Sequence, residues 1–252
     1  MRFELDADQR DFATALDSLL SGADAVGAAR AWAGGDHGPG LKLWSRLADL
    51  GVTSLATDAT PVEVTIAFEA LGRHAVPGPW VESAAYLPVA LGQEVDGIAT
   101  VALPPHVPYA LDADVADHVY VGNAPADSVG ERIASVDPTR HLFPVTGEGE
   151  PSREGFDLAV LATAAQLLGA EDERAGEVEA DAHVGEVDVS AAKVAAGDAA
   201  YRASRTGLQV HGAVGYTQEL DLSLWLTKIR ALVTAWGTPA YHRSVVLGAL
   251  VG

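Results

Sequence analysis

One stretch of the chain combines residue types and spacing suited to holding a phosphorylated cofactor: QVHGAVGYTQE, residues 209–219. Gly212 and Gly215 lie three apart, and glycines let a backbone pass close to a bulky group. The amide N–H groups of a glycine turn ahead of a helix can receive a phosphate. Gln209, His211, Tyr216, Thr217 and Glu219 surround the two glycines with groups able to hydrogen-bond. A G-x-x-G is weak alone, but here an Ala-rich helical segment leads into it and LSLWLTKIRALVTAW follows. Other chemistries lack their patterns. No G-x-G-x-x-G follows a strand, and G-x-x-x-x-G-K-[ST], H-E-x-x-H and G-x-S-x-G are all missing. With no cysteine there is no thiolate nucleophile, and the eight histidines include no pair at i, i+3 or i, i+4, so no metal ion is expected.

The elements that must position this motif read as helices, then strands, then helices. Asp6 is suited to cap a first helix whose Phe12, Leu16, Leu19 and Leu20 form one apolar stripe. GGDHGPG at 34–40 breaks the helical pattern. Leu43, Trp44, Leu47 and Leu50 then share a face that ends at Gly51, and Pro61 opens another helix running to Gly72. A further helical stretch is interrupted by Pro88. Between 98 and 146 the segments IATVALP, HVYVG, RIASVD and HLFPVTG are short and rich in Val and Ile, which predicts four or five strands. Helical spacing returns at 156–171, and after an acidic strip at about 171–189 it continues to the C-terminal end. The expected class is mainly α with a small β-domain. Its expected parts are a helical domain at 1–97, a β-domain at 98–150 and a helical bundle at 151–252.

Charge narrows the partners. The formal net charge is -19, with -22 in residues 1–191 and +3 in residues 192–252. So acidic a chain will not track a nucleic-acid backbone, which needs clustered cations, and only the last quarter is suited to face an anion. No run of about 18 apolar residues and no signal-peptide pattern occurs, so neither membrane spanning nor secretion is expected. A cysteine-free chain fits a cytoplasmic setting.

In these residues the chain resembles the acyl-CoA dehydrogenase family. The family's C-terminal bundle carries Q-[VLI]-x-G-G-x-G-Y-[TS]-x-E, then a helix, then a turn of the form E-G-T. This sequence matches through Gln209, Gly212, Gly215, Tyr216, Thr217 and Glu219 and departs at Ala213, where the family has a second glycine. LWSRLADLGVTSL, AFEALGRHAVPGPWVES, AAQLLGA and SAAKVAAGDAAYRA extend the likeness over most of the chain. The resemblance implies an acyl-CoA dehydrogenase-like fold of N-terminal helical domain, middle β-domain and C-terminal bundle. It implies FAD bound across a subunit interface, and a reaction that introduces an α,β double bond into a CoA thioester. It assigns Gln209, His211, Gly212, Gly215, Tyr216, Thr217 and Thr238 to the cofactor.

The same comparison finds no catalytic base. Trp236 stands where the family has the Glu before Gly-Thr, and Ala159 stands at the alternative position on the first helix of the bundle. An indole cannot take a proton from carbon. The T-E-x-x-x-G-S-D and I-T-N segments that hold the flavin ring are missing, and the acidic strip replaces helices carrying R-x-x-F-G. LSLWLTKIRAL, YALDADVADHV and SVDPTRHLF resemble the reduced partner subunits of heteromeric actinobacterial enzymes acting on steroid-derived CoA thioesters. That group pairs unlike subunits as α2β2, which implies a homologous partner supplying the base. A non-catalytic structural or regulatory paralogue, pairing with a dehydrogenase without binding flavin, is the alternative.

Overall fold

A computed structural model describes residues 5–171, 185–211, 217 and 220–251. Ten α-helices and seven short strands are formed among them. Helix α1 (Ala7–Ser21) starts at a capping box in which Asp6 accepts from the Gln9 amide and Gln9 returns the bond. Helices α2 (Ala25–Ala33), α3 (Gly38–Asp49), α4 (Leu55–Asp58) and α5 (Pro61–Arg73) follow. Gly51 ends the α3 segment with a φ of 90°, and Thr60 and Glu63 form a second capping box ahead of Pro61. The break at 34–40 is shorter than its glycines suggest. Helix α3 already begins at Gly38, because Pro39 falls in its first turn, where a fixed φ is favourable and no N–H is needed.

Pro88 does not interrupt its helix either. A π-helical turn, Glu82–Tyr86, runs directly into α6 (Leu87–Leu91). A proline lacks the N–H for an i−4 bond and crowds that carbonyl, and the wider turn ahead of it relieves both problems.

The β-region contains seven strands where four or five are expected, because most pairings are only two residues long. Strands β1 (Ala99–Ala102), β3 (His118–Val121) and β4 (Ala124–Pro125) make one sheet in the order β1-β3-β4, with β1 parallel to β3. Strands β2 (Ala110–Leu111) and β6 (Leu142–Phe143) pair antiparallel, as do β5 (Ser128–Val129) and β7 (Val145–Thr146). RIASVD is not a strand; Ile133 makes a single bridge to Leu142.

The bundle consists of α7 (Arg153–Glu171), α8 (Glu186–His211), α9 (Leu222–Thr234) and α10 (Pro239–Val251). Of the acidic strip, Glu171 and residues 186–189 are helical, and residues 172–184 lie outside the described residues. Helices α5 and α7 pack backbone to backbone. A Cβ on Gly72 would lie 2.1 Å from the Gln166 carbonyl oxygen, and one on Gly169 would lie 1.9 Å from that of Glu69. One core therefore joins Leu16, Leu47, Phe68 and Leu71 of the N-terminal helices to Ala159, Val160 and Leu161 of α7, Val101 of β1 and Trp236. A second cluster holds Leu167, Ala200, Ile229 and Leu232 inside the bundle.

Lys193 fastens α8 to the end of α9. Its buried ammonium donates to the carbonyls of Leu232 at 2.7 Å and Val233 at 3.3 Å, groups that a helix end leaves without partners. Burial, helped by the charge of Arg140, lowers its pKa from 10.5 to about 7. The folded state thus sheds this proton before the unfolded state does, so stability rises with pH between about 7 and 10.5. Lys193→Met is expected to lose about 1 to 3 kcal/mol at pH 7, and to lack the rise of about 2 kcal/mol this group contributes between pH 7 and 9. Denaturant midpoints of both proteins at the two pH values measure it.

Candidate functional site

A cavity of about 410 Å³ opens between the N-terminal helices, the β-region and the α9–α10 turn. Glu82, His106, Tyr109, Arg140, Trp236 and Thr238 contribute its polar and aromatic lining. Each side chain is placed by a recognisable local structure.

Trp236 sits in the α9–α10 turn with a φ of 57°, followed by Gly237 at 108°. His242 of α10 holds that turn: its Nε2 donates to the Trp236 carbonyl at 3.0 Å, and its Nδ1 accepts from Ser190 Oγ at 3.0 Å. Burial lowers the pKa of His242 to about 4, so it holds the turn as a neutral ring. The Trp236 indole is buried beside Tyr86 and Phe156, with ring centroids 5.2 and 5.9 Å away.

Glu82 opens the π-helical turn and is 1% exposed. It is the single acid among the described residues lining this cavity. Burial raises its pKa, against the opposing charge of Arg140 and a hydrogen bond donated by the Trp236 indole. The carboxyl is thus held towards its neutral form beneath the indole. Sequence reasoning missed it. The available signal was a lone acid in the otherwise apolar stretch PWVESAAYL.

Arg140 comes from a buried turn. Asp137 Oδ1 accepts from the Thr139 amide and hydroxyl, both at 2.9 Å, and the Arg140 amide donates to the Asp137 carbonyl at 3.0 Å. Lys228 of α9 ties this turn to the bundle, 3.9 Å from Asp137 Oδ2 and 3.4 Å from Thr139 Oγ1. The Arg140 guanidinium makes no hydrogen bond or ion pair among the described residues, which leaves a cation facing the cavity.

Of the described residues expected from the sequence to hold the cofactor, Thr238 alone lines this cavity. Thr238 lines the cavity and accepts from the Tyr241 amide at 3.2 Å, capping α10. Gln209 and His211 are exposed at the end of α8, Thr217 is exposed ahead of α9, and none of the three lines the cavity. His211 Nδ1 donates to the Gly207 carbonyl at 2.9 Å. Gly212, Gly215 and Tyr216 lie outside the described residues. Ala159 is fully buried in α7. The Gln209 amide, which can both donate and accept, is exposed on this surface.

This architecture is the acyl-CoA dehydrogenase fold. Glutaryl-CoA dehydrogenase from Mycobacterium smegmatis superposes with a TM-score of 0.78 at 14% identity, over 98% of this chain and 95% of that one. The ChsE4-ChsE5 complex from Mycobacterium tuberculosis gives 0.71 at 15% identity, over 100% and 99%. Residues 153–251 match the family profile described as acyl-CoA dehydrogenase, C-terminal domain. Among curated proteins, 3-sulfinopropanoyl-CoA desulfinase from Paraburkholderia xenovorans (strain LB400) is 41% identical over 61 residues, 24% of this chain. That match spans only 16% of the desulfinase. Fold and C-terminal match together support the acyl-CoA dehydrogenase family. No helix among the described residues is long and apolar enough to cross a membrane.

Proposed function

We propose that this chain is the partner subunit of a heteromeric, FAD-dependent acyl-CoA dehydrogenase that introduces an α,β double bond into a CoA thioester. The observation that carries this reading is the filling of the base position by the buried Trp236 indole, with Glu82, the cavity's single acid, locked beneath it. A general base needs an accessible carboxylate within hydrogen-bond reach of the proton it removes, and Glu82 is 1% exposed, its pKa pushed up by burial. The homologous partner then supplies the base. Bound FAD would accept the Cβ hydrogen as hydride. This chain would hold the ADP half through Gln209, His211, Gly212, Gly215, Tyr216 and Thr217, on exposed surface that a partner covers, with Thr238 at the cavity. A bulky acyl group, steroid-derived in the heteromeric enzymes that LSLWLTKIRAL, YALDADVADHV and SVDPTRHLF resemble, is the proposed substrate class. The proposed assembly is α2β2 in the cytoplasm. Ala213, in place of the family's second glycine, favours the second reading, a structural paralogue that pairs with a dehydrogenase and carries no flavin.

Exposed apolar side chains support an assembly. Val210, Leu247, Leu250 and Val251 are all more than half exposed at the ends of α8 and α10. Leu247, Leu250 and Val251 cluster within five residues at the end of α10, and exposed apolar surface of this kind is commonly covered by a partner. The chain co-expressed with a homologous dehydrogenase subunit is expected to elute as one complex burying more than roughly 2,000 Å². Light scattering that finds two separate monomers at micromolar concentration would rule the assembly out.

A further inference from the structure

Away from the cavity, three segments remote in sequence bring a different chemistry together. His37 precedes α3, Asp114 follows β2, and His141 precedes β6. One nitrogen from each imidazole and one Asp114 oxygen lie within 4.8 Å of one another. His141 Nδ1 is 2.9 Å and His37 Nε2 is 3.7 Å from the same oxygen, Asp114 Oδ2. Donors about 2.0 to 2.2 Å from a tetrahedral zinc ion stand roughly 3.3 Å apart, so these two separations bracket the requirement.

The surroundings are those of a built site. The His141 side chain is fully buried, and its backbone amide is held by Asp112 Oδ1 at 2.9 Å. Asp112 also accepts from the Trp32 indole, and Trp32 packs edge-on against His37 with ring centroids 4.6 Å apart. Five buried side-chain polar atoms lack a hydrogen-bond partner among the described residues, and three of them belong to this cluster: His37 Nε2, Asp112 Oδ2 and His141 Nε2. Each such atom costs about 1 to 3 kcal/mol, and His37 Nε2 is the one of the three that faces Asp114 Oδ2, where a bound cation would satisfy it. The side chains of His37 and Asp114 are 17% and 28% exposed, which leaves the cluster open to solvent on one side. Asp36 adds negative charge near His37, opposed by Arg132.

We infer that His37, Asp114 and His141 bind one divalent cation of the zinc type. Two imidazoles and one carboxylate suit a borderline ion such as Zn²⁺ or Co²⁺ and are poorly matched to Mg²⁺ or Ca²⁺, which prefer oxygen donors throughout. The site ties the turn before α3 to the β-region, and it is independent of the acyl-CoA dehydrogenase reading.

The test uses the full chain stripped with a chelator and titrated with Co²⁺ by absorption and with Zn²⁺ by calorimetry. One equivalent per chain is expected, with the intense visible bands of tetrahedral Co²⁺. His37→Gln and Asp114→Asn should each weaken binding at least about tenfold, while His118→Gln, an exposed histidine elsewhere, leaves it unchanged. Zn²⁺ should raise the thermal midpoint of the unaltered chain and not of the two ligand variants, which separates ligand loss from misfolding. Less than a fifth of an equivalent of Co²⁺, or undiminished affinity in both variants, would overturn the site and leave only a buried Asp114–His141 ion pair.

Discussion

Purified without a partner, this chain is expected to dehydrogenate CoA thioesters at least about 10² to 10⁴ times more slowly than the assembled complex, the range set by loss of a general base. Two positions decide this. Ala159 is fully buried and offers no titratable group, and Trp236 is an indole fixed by its carbonyl bond to His242 and by contact with Tyr86 and Phe156. Glu82 does not substitute for either in this account, because it is 1% exposed beside the indole and burial raises its pKa. Trp236→Glu is therefore expected to leave the isolated chain inactive. The new carboxylate would arrive at a positive φ, beside a second buried acid, without the segments that hold a flavin ring. Glu82→Gln in the complex should change turnover by less than about threefold. A drop of about 10² or more in that variant would make Glu82 the base and end the partner-base account.

The second large effect concerns flavin retention. If residues 209–217 hold the ADP half of FAD, the backbone must approach a phosphate at Gly212 or Gly215, and a side chain there would displace it. Gly215→Val is expected to strip the complex of flavin while the subunits still co-elute. Gln209→Ala, on exposed surface at the end of α8, should weaken retention by about 1 to 3 kcal/mol, the value of one hydrogen bond to a charged or buried group. Absorbance near the flavin maximum per mole of complex reads both. Unaltered flavin in Gly215→Val would mean that the motif serves only as a packing turn, and the structural-paralogue reading would then hold.

The local signals in the sequence were the dependable ones. Asp6, Pro61 and Gly51 mark helix ends through interactions a few residues long, and each acts as its type suggests. The strands were harder to read, because two-residue pairs such as Ala110–Leu111 with Leu142–Phe143 are held by distant partners and leave no alternation. Pro88 misled for a related reason: its cost is absorbed by a π-helical turn that propensity does not encode. At the site, Trp236 and Thr238 were legible because the turn AWGT resembles the family's E-G-T turn after the glycine motif. Glu82 and Arg140 were not, since only the packing of α9 on the Asp137 turn brings them to one cavity. His37, Asp114 and His141 lie too far apart in the chain for any ligand spacing to register.

The central claim is that this chain supplies half of a shared flavin site and no base. Its most direct test is the flavin content and turnover of the chain purified alone, set against the chain co-expressed with a homologous dehydrogenase subunit. The account predicts colourless, inactive protein alone, and a yellow, active complex carrying fewer flavins than subunits. A homo-oligomer of this chain that retains flavin and turns over acyl-CoA without help would contradict it.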